Sequence, residues 1–277
     1  MESAKPESLG IVDFLVWPFL FAGLVVGAAL LAERSGVEIP ESFSGAIMYA
    51  CVAAWILHRA ARAPYGIDLG ALSGPAKTRA DWKLLPIVIP LIAVTGGALY
   101  LVTLAISFIS PQSVAESLAK PDLESEALTL RSVPGDLIES AIGAVTEEWL
   151  FRGVLLHLWA RRFGVRFAVL ATSVLFAAMH ADVIGSFVFG IVMAALYVRT
   201  GTLLVPIVAH LAFNAVISVG WIMVGDGDTT TLAAFREDWW LGVAGFVGGL
   251  AVLVMVVRRI APWPWRLPEL RASGSSP

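Results

Sequence analysis

Six polar side chains lie inside segments that are otherwise apolar. They are Glu147, Glu148, Arg152, His180, His210 and Asn214. At the centre of a membrane-spanning helix a charged side chain costs roughly 2.5–3.5 kcal/mol, so it is rare there without a function. A carboxylate, two imidazoles and a carboxamide are also the groups that a hydrolytic site needs as general base, orienting partner and oxyanion donors. We therefore expect these groups to meet in one polar cavity.

The first three of these residues belong to the stretch AVTEEWLFRGVLL, residues 144–156. Glu147 and Glu148 are adjacent, so on a helix they point about 100° apart and cannot face the same way. Glu148 and Arg152 are four residues apart in the order that favours an ion pair along one face. This spacing predicts that Arg152 neutralises Glu148 while Glu147 points into the cavity.

The other groups follow the same four-residue spacing. Phe176 lies one helical turn before His180, and His210 lies one turn before Asn214. Each group also has an ordinary interpretation, because a Glu–Arg pair can fix helix register and a histidine or asparagine can simply bond a neighbouring helix. The coincidence of all of them in three separate apolar segments favours a shared site.

The elements that would position these side chains are transmembrane helices. The chain has 277 residues, is 58% hydrophobic and 15% charged, and has a mean hydropathy of +0.80, whereas soluble domains are about 45–50% apolar. A span needs about 20 apolar residues, with a range of roughly 17–25. We predict an all-α, polytopic bundle of about eight spans, at residues 11–31, 43–58, 84–108, 136–160, 165–181, 184–198, 203–224 and 239–257.

Charge placement predicts a multi-pass protein of the cell membrane with both termini in the cytoplasm. Fourteen of the 19 Lys and Arg residues then face the cytoplasm, four face the other side, and Arg152 lies within a span, as the positive-inside rule requires. The outer loops are acidic instead, as in residues 115–128 and 225–230. The first span is longer than the apolar core of a signal peptide, so we expect it to be retained.

Several other features carry no chemistry. The net charge of −3 and the scattered basic residues argue against a nucleic-acid partner. The single cysteine, Cys51, excludes an intrachain disulfide, and its apolar surroundings suggest a packing role. His58 and His157 lie near cytoplasmic helix ends and are interpreted as interfacial.

Three short motifs resemble a known family. EEWLFR at 147–152, FAAMH at 176–180 and HLAFN at 210–214 are similar to the EExxxR, FxxxH and HxxxN motifs of the CAAX-protease and bacteriocin-processing family. This family comprises the type II CAAX prenyl endopeptidases and their bacterial relatives. The similarity covers about residues 135–220. It divides the chain into about three N-terminal spans (1–134), a catalytic core (135–220) and a last span with a polar tail (221–277).

The resemblance implies an intramembrane endopeptidase acting on a peptide or membrane-protein substrate. Glu147 would activate water with the help of His180, and His210 and Asn214 would stabilise the oxyanion. Glu148, Arg152 and Phe176 would support these groups without touching the substrate.

The resemblance leaves the cofactor open. Zinc would be held by Glu147, His180 and His210 with water in the fourth position, but the HExxH motif is absent. A metal-free, glutamate-based reaction that requires no cofactor is the version favoured here.

Two other functions compete with the protease. One is a non-enzymatic membrane protein, such as an immunity or partner-stabilising factor, that uses the polar cluster as a structural staple. The other is a proton-coupled transporter, although the sequence lacks the paired halves expected of one. The physiological substrate, its lipidation and the oligomeric state are not encoded in these patterns.

Helix depth raises one difficulty for a shared site. Counted from the cytoplasmic ends of their helices, His180 lies about 22 Å deep and His210 about 10 Å deep. We therefore expect the fifth span to begin beyond the bilayer surface or to tilt strongly, with the turn at 181–186 buried in protein.

Overall fold

The computed structural model describes residues 10–37, 41–76, 78–118, 133–225, 231–261 and 264–268, and these residues fold mainly as α-helices. The helices are α1 (Trp17–Arg34), α2 (Glu41–Ala60), α3 (Leu69–Leu72), α4 (Arg79–Trp82), α5 (Val88–Ile109), α6 (Pro111–Leu118), α7 (Val133–Glu148), α8 (Leu156–Phe163), α9 (Val165–Ala178), α10 (Val183–Thr200), α11 (Leu204–Gly225), α12 (Leu232–Glu237), α13 (Trp239–Val243) and α14 (Gly249–Ile260). The predicted all-α membrane bundle is confirmed.

Five helical stretches in the described part of the chain are long and apolar enough to cross a membrane. They are Val12–Arg34, Phe43–Ala60, Arg79–Ile109, Val183–Thr200 and Trp239–Ile260. Val165–Ala178 and Leu204–Ser218 are apolar but shorter. The predicted fourth span lies within one helical rod, residues 133–163, that carries the charged residues. The count of eight spans stays a prediction.

Helix α10 is the centre of the bundle. It packs against α5, α9, α11 and α14, and 56% of its span is buried, compared with 11% for the first span. Asp182 caps its N-terminus by accepting a hydrogen bond from the Gly185 amide at 3.0 Å. Gly201 ends it in a left-handed conformation with φ of 69°, which glycine adopts without strain. The helix that faces the candidate site is therefore fixed at both ends.

A π-helical turn interrupts the rod that carries the carboxylates. The segment Trp149–Leu155 separates α7 from α8 and begins directly after Glu148. Residues 150–155 are all buried, including Arg152. Single π turns inside α-helices occur frequently at functional sites because they change which residues share a face. The rod then ends at Gly164, whose φ of 85° separates α8 from α9.

The C-terminal helices pack unusually closely on α5. A Cβ atom at Gly245 would lie 3.0 Å from the Ala93 carbonyl oxygen, and one at Gly249 would lie 2.8 Å from that of Pro90. The small-residue surface seen in the sequence GFVGG therefore lets two backbones approach each other.

Three predictions about individual residues are wrong. The turn at 181–186 is not buried as a whole, because Val183 and Ile184 are exposed although Gly185 is buried. The Asp182 cap satisfies the backbone there, so burial in protein is unnecessary. Cys51 is exposed on α2 and does not pack in the core. His157 is buried rather than interfacial, because its Nε2 is hydrogen-bonded to the Tyr197 hydroxyl at 2.7 Å.

Candidate active site

Glu147 is the residue on which the two predicted imidazoles converge. Its Oε2 atom lies 4.0 Å from Nε2 of His180 and 3.8 Å from Nε2 of His210. The Glu147 side chain is 12% exposed, His180 is 34% exposed and His210 is 5% exposed. The end of α7, the turn after α9 and the middle of α11 thus bring three titratable groups together, as the sequence predicts.

Glu148 points away from Glu147 and joins two of the motifs. Its Oε1 atom accepts a hydrogen bond from Nη1 of Arg152 at 2.8 Å and another from Nδ1 of His210 at 3.1 Å. Arg152 also donates to the carbonyl oxygen of Gly190 on α10 at 3.1 Å. Glu148 is completely buried, and its Oε2 atom has no hydrogen-bond partner among the described residues. The expected ion pair is present, and it additionally holds an imidazole.

The hydrogen bonds define which nitrogen of each imidazole faces Glu147. Nδ1 of His180 is 2.7 Å from the carbonyl oxygen of Phe176, which can only accept, so Nδ1 carries the proton. Nδ1 of His210 likewise donates to Glu148. In the neutral rings Nε2 is then an acceptor. Two acceptor nitrogens and a carboxylate oxygen therefore face one another. They can form hydrogen bonds only to a donor group that lies between them.

Aromatic rings hold both imidazoles in place. The Phe176 ring stacks on His180 with centroids 4.2 Å apart, and Phe189 contacts His210 edge to face at 4.6 Å. The Arg152 guanidinium lies 5.0 Å from the centroid of Phe176, a cation–π distance. Phe176 therefore contacts both the His180 imidazole and the guanidinium of the buried ion pair.

A cavity of about 740 Å³ opens between α5, α9, α10 and α11. His180, His210 and Asn214 line it, and apolar side chains such as Leu99 and Phe213 form much of the remaining wall. Glu147 does not line this cavity, contrary to the expectation that it points into it. Its carboxylate is held toward α2 instead. The His180 and His210 imidazoles, which line the cavity, lie next to this carboxylate.

Asn214 reaches the site from α11, one turn beyond His210. Its carboxamide lines the cavity and is half-buried, and it makes no hydrogen bond to the described part of the protein.

Sequence reasoning missed the partner that holds Glu147. The Tyr49 hydroxyl, on α2, donates a hydrogen bond to Oε1 of Glu147 at 3.0 Å. Tyr49 is 98 residues away in sequence and belongs to none of the three motifs. The only feature of the sequence that could have indicated this contact is a tyrosine hydroxyl within an apolar helix. That feature does not identify Glu147 as its partner.

The donor set resembles a zinc site in composition but not in spacing. Two imidazole nitrogens and a carboxylate are ligands that zinc accepts. In a tetrahedral site with bonds of about 2.0–2.1 Å, however, ligand atoms lie about 3.3–3.4 Å apart. The two N···O distances are 3.8 and 4.0 Å, and the described residues contain no group of three or more His, Cys, Asp or Glu placed to hold a metal ion. The groups as placed do not fit zinc.

Part of the chain is similar to an endopeptidase family. Residues 131–216 match the family model described as type II CAAX prenyl endopeptidase Rce1-like. The chain is 33% identical over 86 residues to "Putative membrane peptidase YdiL" of Bacillus subtilis (strain 168). That match covers 30% of this chain and 35% of the relative's length. No solved structure matches the chain. The family resemblance predicted from the three motifs is confirmed for this stretch, which contains every motif.

Proposed function

Because residues 131–216 match type II CAAX prenyl endopeptidases, we propose that this protein hydrolyses a peptide bond in a membrane-associated or lipidated peptide or protein. The observation that carries the proposal is the convergence of His180 and His210 on one oxygen of Glu147, at 4.0 and 3.8 Å. This arrangement favours a water molecule beside Glu147, because the two hydrogens of the water can be donated to Oε2 of Glu147 and Nε2 of His180.

Glu147 is the general base of this reaction. Its Oε2 atom takes a proton from the water while the water oxygen bonds to the substrate carbonyl carbon. Nε2 of His180 accepts the second water hydrogen and so aligns the attacking lone pair. The protonated Glu147 then returns its proton to the leaving nitrogen when the C–N bond breaks. The products are a new carboxylate and a new amine, and the carboxylate of the enzyme is regenerated.

His210 and Asn214 stabilise the oxyanion of the tetrahedral intermediate. Asn214 donates from its carboxamide, which faces the cavity. His210 donates from Nε2 after its ring has taken up a second proton from solvent, and Glu148 is then the counter-ion of the imidazolium through Nδ1. Donors fixed before the reaction lower the barrier because they need no reorganisation as charge develops. Glu148 and Arg152 act through His210 rather than on the substrate.

The apolar wall of the cavity supplies the means to hold a substrate. A pocket of about 740 Å³ is within the size range of roughly 300–1,000 Å³ typical of ligand sites. Apolar side chains or an acyl chain of the substrate pack there, and the scissile carbonyl is presented to Asn214 and the imidazoles. The catalytic groups need no metal in this scheme, and metal dependence stays a separate prediction.

The test compares membrane peptides of cells that produce wild-type protein or Glu147→Gln. The amide keeps the shape of the side chain but cannot take a proton, so an uncleaved membrane peptide should accumulate and its fragments should disappear. Glu139→Gln is the matched control because Glu139 is a half-buried carboxylate two turns earlier on α7. Identical peptide patterns for wild type and Glu147→Gln, with equal protein levels, would contradict the proposal and favour a structural role for the polar cluster.

A further inference from the structure

The two oxygens of the Glu147 carboxylate have different partners, because Tyr49 binds one of them. Its hydroxyl donates to Oε1 at 3.0 Å, while Oε2 faces both imidazoles. Tyr49 belongs to α2, outside the stretch of 131–216 that matches the peptidase family. A contact with the proposed base thus comes from the N-terminal part of the chain.

The surface of α7 is shaped to receive the Tyr49 ring. Gly143 lies one turn before Glu147, and a Cβ atom there would be 3.2 Å from Cε2 and 3.3 Å from Cζ of Tyr49. The absent side chain leaves the space in which the ring lies. The Thr146 hydroxyl donates to the Ile142 carbonyl oxygen at 2.7 Å and lies 3.4 Å from the Tyr49 carbonyl oxygen. Both the ring and the backbone of Tyr49 therefore contact α7.

This contact fixes a side chain that would otherwise rotate. An unbonded Glu carboxylate can turn about its last torsion angle, which has broad, weakly separated minima. With Oε1 bonded to Tyr49, only Oε2 is left to face His180 and His210. We propose that Tyr49 is a positioning residue that sets the orientation of the Glu147 carboxylate for proton transfer; this inference rests on the function proposed above.

Steady-state kinetics of Tyr49→Phe test the positioning role. The variant removes one hydrogen bond to a charged group and keeps the aromatic ring packed beside Gly143. We expect kcat to fall by about 10- to 100-fold, the equivalent of such a bond, while KM stays within about twofold. Tyr65→Phe is the matched control because the Tyr65 hydroxyl also donates to a carboxylate, Oδ2 of Asp13 at 2.7 Å, and neither residue lines the cavity. Equal kcat values for Tyr49→Phe and wild type would overturn the proposal.

A double variant separates positioning from a structural role. Glu147→Asp keeps a carboxylate but shortens the side chain, so it withdraws from Tyr49. If Tyr49 acts only through this contact, adding Tyr49→Phe to Glu147→Asp causes no further loss of kcat. In an Asn214→Ala background, Tyr49→Phe should lower kcat by the same factor as it does in the wild-type protein. Losses of equal size in both backgrounds, with a lowered melting temperature, would overturn the proposal in favour of a structural contact between α2 and α7.

A chemical readout remains informative if no cleavage is found. Dicyclohexylcarbodiimide enters apolar sites and reacts with protonated, accessible carboxyl groups. Loss of the Tyr49 hydroxyl bond should speed modification of Glu147 several-fold, measured by mass spectrometry of the purified protein, and leave the rate for Tyr65→Phe unchanged. Faster modification without any cleavage would reject the proposed function and keep the positioning contact. An unchanged modification rate would reject the positioning contact itself.

Discussion

Nδ1 of His210 donates a hydrogen bond to Oε1 of Glu148 at 3.1 Å, across 62 residues of sequence. This bond joins the EEWLFR segment to the HLAFN segment through a completely buried carboxylate. The same oxygen also accepts from Arg152. Any change at this carboxylate therefore alters both the charge balance of the core and the orientation of an imidazole in the site.

The Glu148–Arg152 pair is predicted to be needed for activity more than for stability. Arg152→Met should lower the free energy of unfolding by about 3–5 kcal/mol because it leaves a buried carboxylate without its partner. The double variant Glu148→Leu/Arg152→Met should restore the free energy of unfolding to at least the wild-type value, because no unpaired charge is left buried. The double variant should still lose about 100-fold or more in kcat because His210 has lost the carboxylate that orients it. Steric-trap unfolding in bicelles measures the first quantity, and a double variant with near wild-type activity would contradict the role of Glu148.

Asn214→Ala is predicted to reduce kcat by about 100- to 1000-fold, the usual effect of removing one oxyanion donor. The fold should be unchanged because the carboxamide makes no hydrogen bond to the described residues. Asn214→Asp should be at least as inactive, since a carboxylate offers only acceptors. Kinetics combined with thermal denaturation in detergent provide the check. A large fall in melting temperature for Asn214→Ala would indicate a structural role instead.

Chelation is predicted to leave the activity unchanged. The N···O separations of 3.8 and 4.0 Å around Glu147 are wider than those of a tetrahedral zinc site. Dialysis against EDTA and 1,10-phenanthroline, followed by activity assays and elemental analysis, tests this. Loss of activity that is restored by one equivalent of zinc would show that the three side chains close around a metal in the working enzyme.

Gly190→Ala is predicted to damage both stability and activity. A Cβ atom there would lie 2.8–2.9 Å from atoms of Ser173 on α9, including its Cα, so the two helices must move apart. Such overpacking costs about 1–3 kcal/mol. The Gly190 carbonyl oxygen also accepts from Arg152, so the displacement reaches the buried charge pair. Gly27→Ala on α1 is the control, because nothing lies within 4 Å of the new atom. Equal melting temperatures for both variants would contradict the close packing.

Cys51 is predicted to face lipid. It is exposed on α2, and the predicted second span, 43–58, contains it. In membrane fragments whose two faces are both accessible, an apolar maleimide should label it, whereas a charged maleimide should not. As a control, Arg62→Cys in a Cys51→Ala background should react with the charged reagent, since Arg62 is exposed in the turn after α2. Labelling of native Cys51 by the charged reagent would place this part of α2 in water.

The sequence was most informative where chemistry and helical spacing coincide. The i, i+4 spacing predicts the Glu148–Arg152 ion pair. The energetic cost of a polar group in an apolar segment identifies His180 and His210 as candidate site residues. Tyr49 could not be predicted because its contact depends on how α2 packs against α7, which no local pattern specifies. For the same reason His157 was misinterpreted: its partner Tyr197 lies 40 residues away on another helix. The π turn at Trp149–Leu155 also has no signal in a pattern based on 3.6 residues per turn.

Oε2 of Glu148 remains a buried acceptor without a partner in the described structure. An unsatisfied polar atom of this kind costs about 1–3 kcal/mol, and selection for thermal stability alone would replace it with a hydrocarbon side chain. A screen for heat-resistant variants should therefore recover apolar substitutions at positions 148 and 152. The recovered variants should have raised melting temperatures and no catalytic activity. Positions 148 and 152 would then be sites at which thermal stability and turnover conflict in this protein.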